Sequence, residues 1–130
     1  MTAVGLLMRM YTGWNRNDPR MAKGADQLLA NLPSIGTAAQ PARDTYYWYY
    51  ATQVMFHMKG KYWSQWNEKL RPILVDNQVR QGPLAGSWAP GGDVPDRWGG
   101  PGGRVYLTAM NLLMLEVYYR YLPLYQNLEE

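Results

Sequence analysis

Cysteine is absent from the 130 residues, and histidine and phenylalanine occur once each. Without cysteine there is no disulfide, no thiolate zinc site and no thiol nucleophile, although the absence does not specify a compartment. With His57 as the sole imidazole, no paired-histidine metal centre can form, and neither a metal nor a cofactor is expected. Charge of one sign is also sparse. Thirteen Lys and Arg against ten Asp and Glu leave a net charge of +3, spread along the chain with no basic run to follow a phosphate backbone. Nucleic acid is therefore not an expected partner. Long apolar runs are missing too: the stretch from Val105 to Tyr119 is interrupted by Thr108, Asn111 and Glu116. It falls short of the ~20 residues a membrane span requires, so no transmembrane segment is expected. The opening Met1 to Met8 lacks a basic leader and breaks at Arg9, which reads as a helix rather than a secretory signal.

What the chain does have is a 47% hydrophobic content carried by eight Met, six Trp and eleven Tyr. Its length suits a single domain over residues 1–130, and its core residues are large, adaptable and amphipathic. Apolar periodicity predicts five helices. The first, about Thr2 to Tyr11, is apolar around nearly its whole circumference and should be buried on all sides. It begins without a capping residue, as if entered partway through a repeat of a longer protein. The second, Pro19 to Asn31, opens on an Asp18 cap with Pro at the first helical position and carries one apolar face. The third, Ala42 to Met58, contains the aromatic run Tyr46-Tyr47-Trp48-Tyr49-Tyr50 and is again apolar all round, with Asp44 able to cap it. The fourth, Tyr62 to Gln78, is amphipathic and should bend at Pro72. After a loop from Val79 to Gly103 rich in Gly and Pro, with Trp88 and Trp98 as anchors, the fifth runs from Gly103 to Tyr121. Leu122-Pro123 should stop it and the tail should fray.

All-apolar and amphipathic helices thus alternate, as in a double layer where inner helices touch both neighbours and outer helices need one stripe. Internal similarity supports the pattern. Thr2-Ala3-Val4-Gly5-Leu6-Leu7-Met8 lies over Thr108-Ala109-Met110-Asn111-Leu112-Leu113-Met114, and Tyr50-Ala51-Thr52-Gln53-Val54-Met55-Phe56 matches both loosely, with a period near 50 residues. Helical hairpins of that size bury their faces only by stacking. The stretch from Gly86-Ser87-Trp88 to Arg120, where one hairpin hands over to the next, is the expected organising element.

Leu74-Val75-Asp76-Asn77-Gln78, then Gly86-Ser87-Trp88, then Arg104-Val105-Tyr106-Leu107-Thr108-Ala109 resembles the prenyltransferase and squalene-cyclase repeat family. The resemblance implies an all-α fold of antiparallel hairpins, here about two and a half repeats of an α/α toroid. It also implies that a Gln and the Trp of a Gly-x-Trp turn tie one helix end to the start of another. Gln78 stands on the helix eight residues before Gly86, while Gln81 has the family's gap but sits in the loop. The family's chemistry does not come with it. There is no Asp-x-Asp-Asp acid cluster, no Cys and His pair for zinc and no cysteine for a thioester.

The remaining candidates divide between packing and binding. His57 reads as a packed or rim position in a buried helix. Asp44 reads first as a helix cap or as a partner of Arg43 or Arg104, and second as an acid or cation stabiliser at the mouth of the aromatic helix. Tyr46, Tyr47 and Tyr50, with Asp44 and His57, could line a cavity for an apolar ligand, though consecutive positions cannot all face one cavity. Asp93 and Asp96 read as solvated turn carboxylates, and Gly99-Gly100-Pro101-Gly102-Gly103 as turn chemistry without phosphate-binding spacing. Gln78, Gln81, Gly86 and Trp88 are expected to be framework. The expected function is a non-catalytic scaffold or binding segment with an aromatic concave face. The alternative is part of an isoprenoid cyclase or prenyltransferase-like enzyme with its catalytic residues elsewhere. The expected partners are the remaining repeats of a parent protein or a second copy joined through Leu6, Leu7, Met10, Val105 and Leu112. In a monomer, Trp98 and Tyr125 would instead cover the open face.

Overall fold

The computed structural model describes residues 1–120. Among them the fold is all-α: α1 (Thr2–Tyr11), α2 (Pro19–Leu29), α3 (Thr45–Met58), α4 (Gly60–Asp76), α5 (Gly99–Leu115) and the single turn α6 (Val117–Arg120). The only β pairing among the described residues is two isolated antiparallel bridges, Gly36 with Pro41 and Gln78 with Trp88. The expected helix end at Tyr121, the Leu122-Pro123 stop, the tail and Tyr125 lie outside the described residues.

Helix α3 packs against every other described helix. The organising element is therefore this aromatic helix rather than the stretch that begins at Gly86. Its side chains explain why: Trp48, Ala51, Val54, Met55 and Met58 are buried, and so are Thr45, Thr52 and Gln53 on its other faces. The buried polar groups are paired. Trp66 Nε1 of α4 donates to Thr52 Oγ1 at 3.0 Å, and Thr52 Oγ1 donates to the Trp48 carbonyl at 2.6 Å. Large amphipathic rings can enter such a core because their polar ends find acceptors there.

Helices α1 and α5 each pack against α3, while α2 and α4 pack against each other and against α3. Neither α1 nor α5 is buried on all sides. In α1 only Ala3, Leu6 and Leu7 are buried, and Met8 and Tyr11 stand 63% and 66% exposed. In α5 Val105 is 83% exposed. Apolar residues all round a helix mark it as buried only if neighbours exist on each side, and α3 alone has them.

Several boundaries differ from expectation. α3 starts at Thr45 rather than Ala42, behind its Asp44 cap, and α4 ends at Asp76 rather than Gln78. α2 stops at Leu29, where Ala30 closes the helix onto the Asp26 and Leu28 carbonyls. Only Lys59 separates α3 from α4. Its N–H closes α3 onto Met55 and Phe56, and its backbone (φ 58°, ψ −169°) reverses the chain so that α4 starts at Gly60. Positive φ at a lysine costs strain that glycine would avoid. α4 then continues unbroken through Pro72 to Asp76. In α5 the first turn, Gly99 to Gly102, is set off by Gly103 at φ 67° and ψ −173°, so the continuous helix starts beyond that glycine, near the expected boundary.

Candidate functional site

The N-terminus of α3 is the most densely built corner of the molecule. Two carboxylates hold it. Asp44 is the cap, its Oδ1 accepting the Tyr47 N–H at 2.9 Å as the sequence predicted. Asp96, from the long loop, accepts both the N–H and the hydroxyl of Thr45 on Oδ2, and the Trp98 N–H at 2.8 Å on Oδ1. Asp96 is only 4% exposed, so it is not a solvated turn carboxylate; Asp93 alone fits that description. The unsatisfied donors of a helix start and its positive dipole end stabilise buried negative charge at this place. The cation beside Asp44 is Arg97, with Nη1 3.7 Å from Oδ2. Neither Arg43 nor Arg104 fills that role. Arg43 donates to the Val94 carbonyl and Arg104 to Ser87 Oγ.

The aromatic run divides by helical direction. Tyr46 and Tyr50, one turn apart, meet at 4.9 Å between ring centroids, and Tyr49 stands edge-on to Tyr50 at 5.1 Å. Trp98 completes the group, its ring 5.4 Å from Tyr46 and its Nε1 donating to Asp44 Oδ1 at 3.1 Å. Tyr106 of α5 lies close to the same group. Its hydroxyl is pushed above its ordinary pKa, first by burial and then by the charges of Asp96 and Asp44 and by Tyr50 and Tyr46 nearby. Burial first, and then Tyr46, raises Tyr50 as well. All four tyrosines are half-buried and Trp98 is 37% exposed, so the group forms an aromatic surface with Asp44 at its edge.

Two candidates stand elsewhere. Tyr47 points toward α4 and the end of α2, where it meets Trp66 edge-on at 5.8 Å and donates to the Asn31 carbonyl at 2.9 Å. Burial, and secondarily the Asp44 charge, pushes its hydroxyl up to about 12. His57 lies near the opposite end of α3, ~20 Å along the axis from Asp44 at 1.5 Å per residue. Burial first, and then the Lys59 charge, lowers its pKa below the ordinary histidine value. Asp44 and His57 therefore do not share a site. Sequence reading took Asp96 for a solvated turn carboxylate and Tyr106 for part of the repeat framework, and placed neither in this site. The signal available for Asp96 was its place two residues before the anchor Trp98.

The Gly-Ser-Trp turn forms a separate framework cluster. Trp88 is 1% exposed; its Nε1 donates to the Leu74 carbonyl at 2.8 Å and its backbone N–H to Thr108 Oγ1 at 3.2 Å. The last turn of α4 and the body of α5 are thereby tied through one indole. Gln78 pairs with Trp88 along the backbone, and its Nε2 donates to the Gly86 carbonyl at 3.0 Å. Gln81 lies exposed in the loop.

Among the described residues no three His, Asp or Glu side chains converge as metal ligands, and no helix is long and apolar enough to cross a membrane. No protein-family model, no curated protein and no solved structure matches the chain.

Proposed function

We propose that this chain is a non-catalytic segment of a layered helical-hairpin scaffold, a partial toroid of the squalene-cyclase and prenyltransferase type. It stacks through α5 onto a further hairpin or a second copy and offers its aromatic surface to an apolar ligand. One observation carries the reading. Leu6, Val54 and Leu112 hold the same place in the three similar segments, and the first two are buried while Leu112 is 43% exposed. Ala3 and Ala51 are likewise buried, whereas the matching Ala109 is exposed. In the first hairpin the cover is α2: Leu6 lies so close to Gly24 that a Cβ there would sit 2.5 Å from Leu6 Cδ2. No described helix covers α5 in this way, since it packs against α3 and α6.

The bare positions on α5 and α6 are Val105, Ala109, Leu112, Glu116 and Tyr119, which follow one another at steps of four and three. That spacing is a seam for another helix. Four of the five are apolar, and exposed apolar side chains aligned on one helix face mark an interaction face. Leu6 and Leu7 have no place in the seam because both are buried. The ligand part of the reading rests on Tyr46, Tyr50, Trp98 and Tyr106, which offer ring faces while staying half-buried. Incubating the chain alone with squalene or a prenyl diphosphate is expected to yield no product. Turnover would overturn the non-catalytic assignment.

A further inference from the structure

Arg43 stands between the loop that precedes α3 and the long loop. It is half-buried; its Nη1 donates to the Val94 carbonyl at 3.1 Å, while Nε is enclosed with no acceptor. Among the described residues no carboxylate lies within ion-pair distance of it. A guanidinium carries five N–H donors, and a half-buried cation is expensive to leave unpaired. The group lines two cavities. The larger, about 370 Å³, is also lined by Asp44, Asp96 and Arg97, so its two carboxylates already face two guanidinium groups. The other, about 300 Å³, lies between Ile35, Asn77 and the turn Gly91-Gly92-Asp93-Val94.

That turn supplies a second set of donors. The backbone N–H groups of Gly91, Gly92, Asp93 and Val94 have no acceptor among the described residues. The loop is held in register on both sides, with the Arg97 N–H donating to the Arg43 carbonyl at 3.0 Å and the Asp96 N–H to the Pro90 carbonyl at 3.3 Å. Backbone N–H groups left without acceptors on a turn that lines the same cavity as a guanidinium are available to an anion bound there. The only acidic side chain lining this cavity is the exposed Asp93.

We propose that the Arg43 cavity binds a small oxyanion, the carboxylate or phosphate group of a metabolite-sized molecule. The guanidinium pairs with the anion and the turn N–H groups complete its shell. Such a site is independent of the α5 seam and of the aromatic surface. The planar fork of arginine matches either head group.

The test is a titration of the 130-residue chain followed by amide and guanidinium NMR, with inorganic phosphate, acetate and chloride at matched ionic strength. Saturable shifts of Gly91, Gly92 and Arg43 Nε–H with phosphate or acetate, at about millimolar concentration, are expected. Whichever of the two saturates at lower concentration identifies the head group. Arg43→Gln should abolish saturation. Asp93→Asn, which removes the like charge and leaves the Arg43–Val94 bond in place, should tighten binding about two- to fivefold. The proposal is overturned if phosphate and acetate shift these signals no more than chloride does. Equal saturation in Arg43→Gln, or weaker binding in Asp93→Asn, would overturn it as well.

Discussion

Trp88 shows how much a single side chain can hold. Its indole fills the space between α4 and α5 and satisfies the Leu74 carbonyl, one of the acceptors a helix end leaves open. Trp88→Ala should cost ~3 to 5 kcal/mol. An unchanged melting temperature would refute its framework role. Lys59 argues in the opposite direction. Its positive φ is imposed by the one-residue connection between α3 and α4, so Lys59→Gly should stabilise the chain by about 1 kcal/mol in denaturant unfolding. For His57 the sign follows from burial. Its folded pKa lies below the ordinary 6.5, so the unfolded state takes up the proton first as pH falls. The stability it contributes is complete above about pH 6.5 and declines as pH drops from there toward the folded value. His57→Gln should flatten that part of the pH dependence of the denaturation midpoint. At this scale the sequence was legible where the signal was local. Asp44 three residues before Tyr47 reads as a cap, and Gly86-Ser87-Trp88 reads as a turn. Asp96 was not legible because its partner Thr45 is 51 positions away.

Among the elements, helix existence and type could be read from periodicity, and α1 has the bounds expected. What periodicity could not give was the number of neighbours. α1, α3 and α5 look alike as apolar strings, yet α3 alone is enclosed, because a string of Leu, Met and Tyr fixes what a helix can bury and not what stands beside it. The start of α3 depends on chain brought from the long loop. Removing the Asp96 carboxylate leaves the Thr45 and Trp98 N–H groups without their acceptor. Asp96→Ala should therefore destabilise by about 1 to 3 kcal/mol. Faster amide exchange at Thr45 and Trp98 than in the parent should accompany it. Exchange unchanged at both would mean that water replaces the carboxylate at no cost and that the loop is not what fixes α3. The aromatic group depends on the same pin, since Trp98 follows Asp96 by two residues and meets Tyr46 across the loop.

For the whole molecule, α3 touches every other described helix, whereas α5 packs against α3 and α6. Leu6 and Leu112 are matching residues in similar segments with opposite exposure, and that contrast is the basis for reading the chain as a stack with an open end. On that reading the exposed Leu112 position should tolerate charge where the buried Leu6 position should not. Leu112→Glu should leave the folded monomer within about 0.5 kcal/mol of its original stability. Leu6→Glu, at the equivalent but buried place, should unfold it. The most direct measurement of the central claim is the mass of the chain by light scattering after size exclusion, over a hundredfold range of concentration and in parallel with Leu112→Glu. With the chain alone, the second copy is the partner available to the seam. The stacking account predicts a mass that rises above 15.0 kDa with concentration and stays at 15.0 kDa in the variant, whereas a parent chain at 15.0 kDa throughout would contradict it.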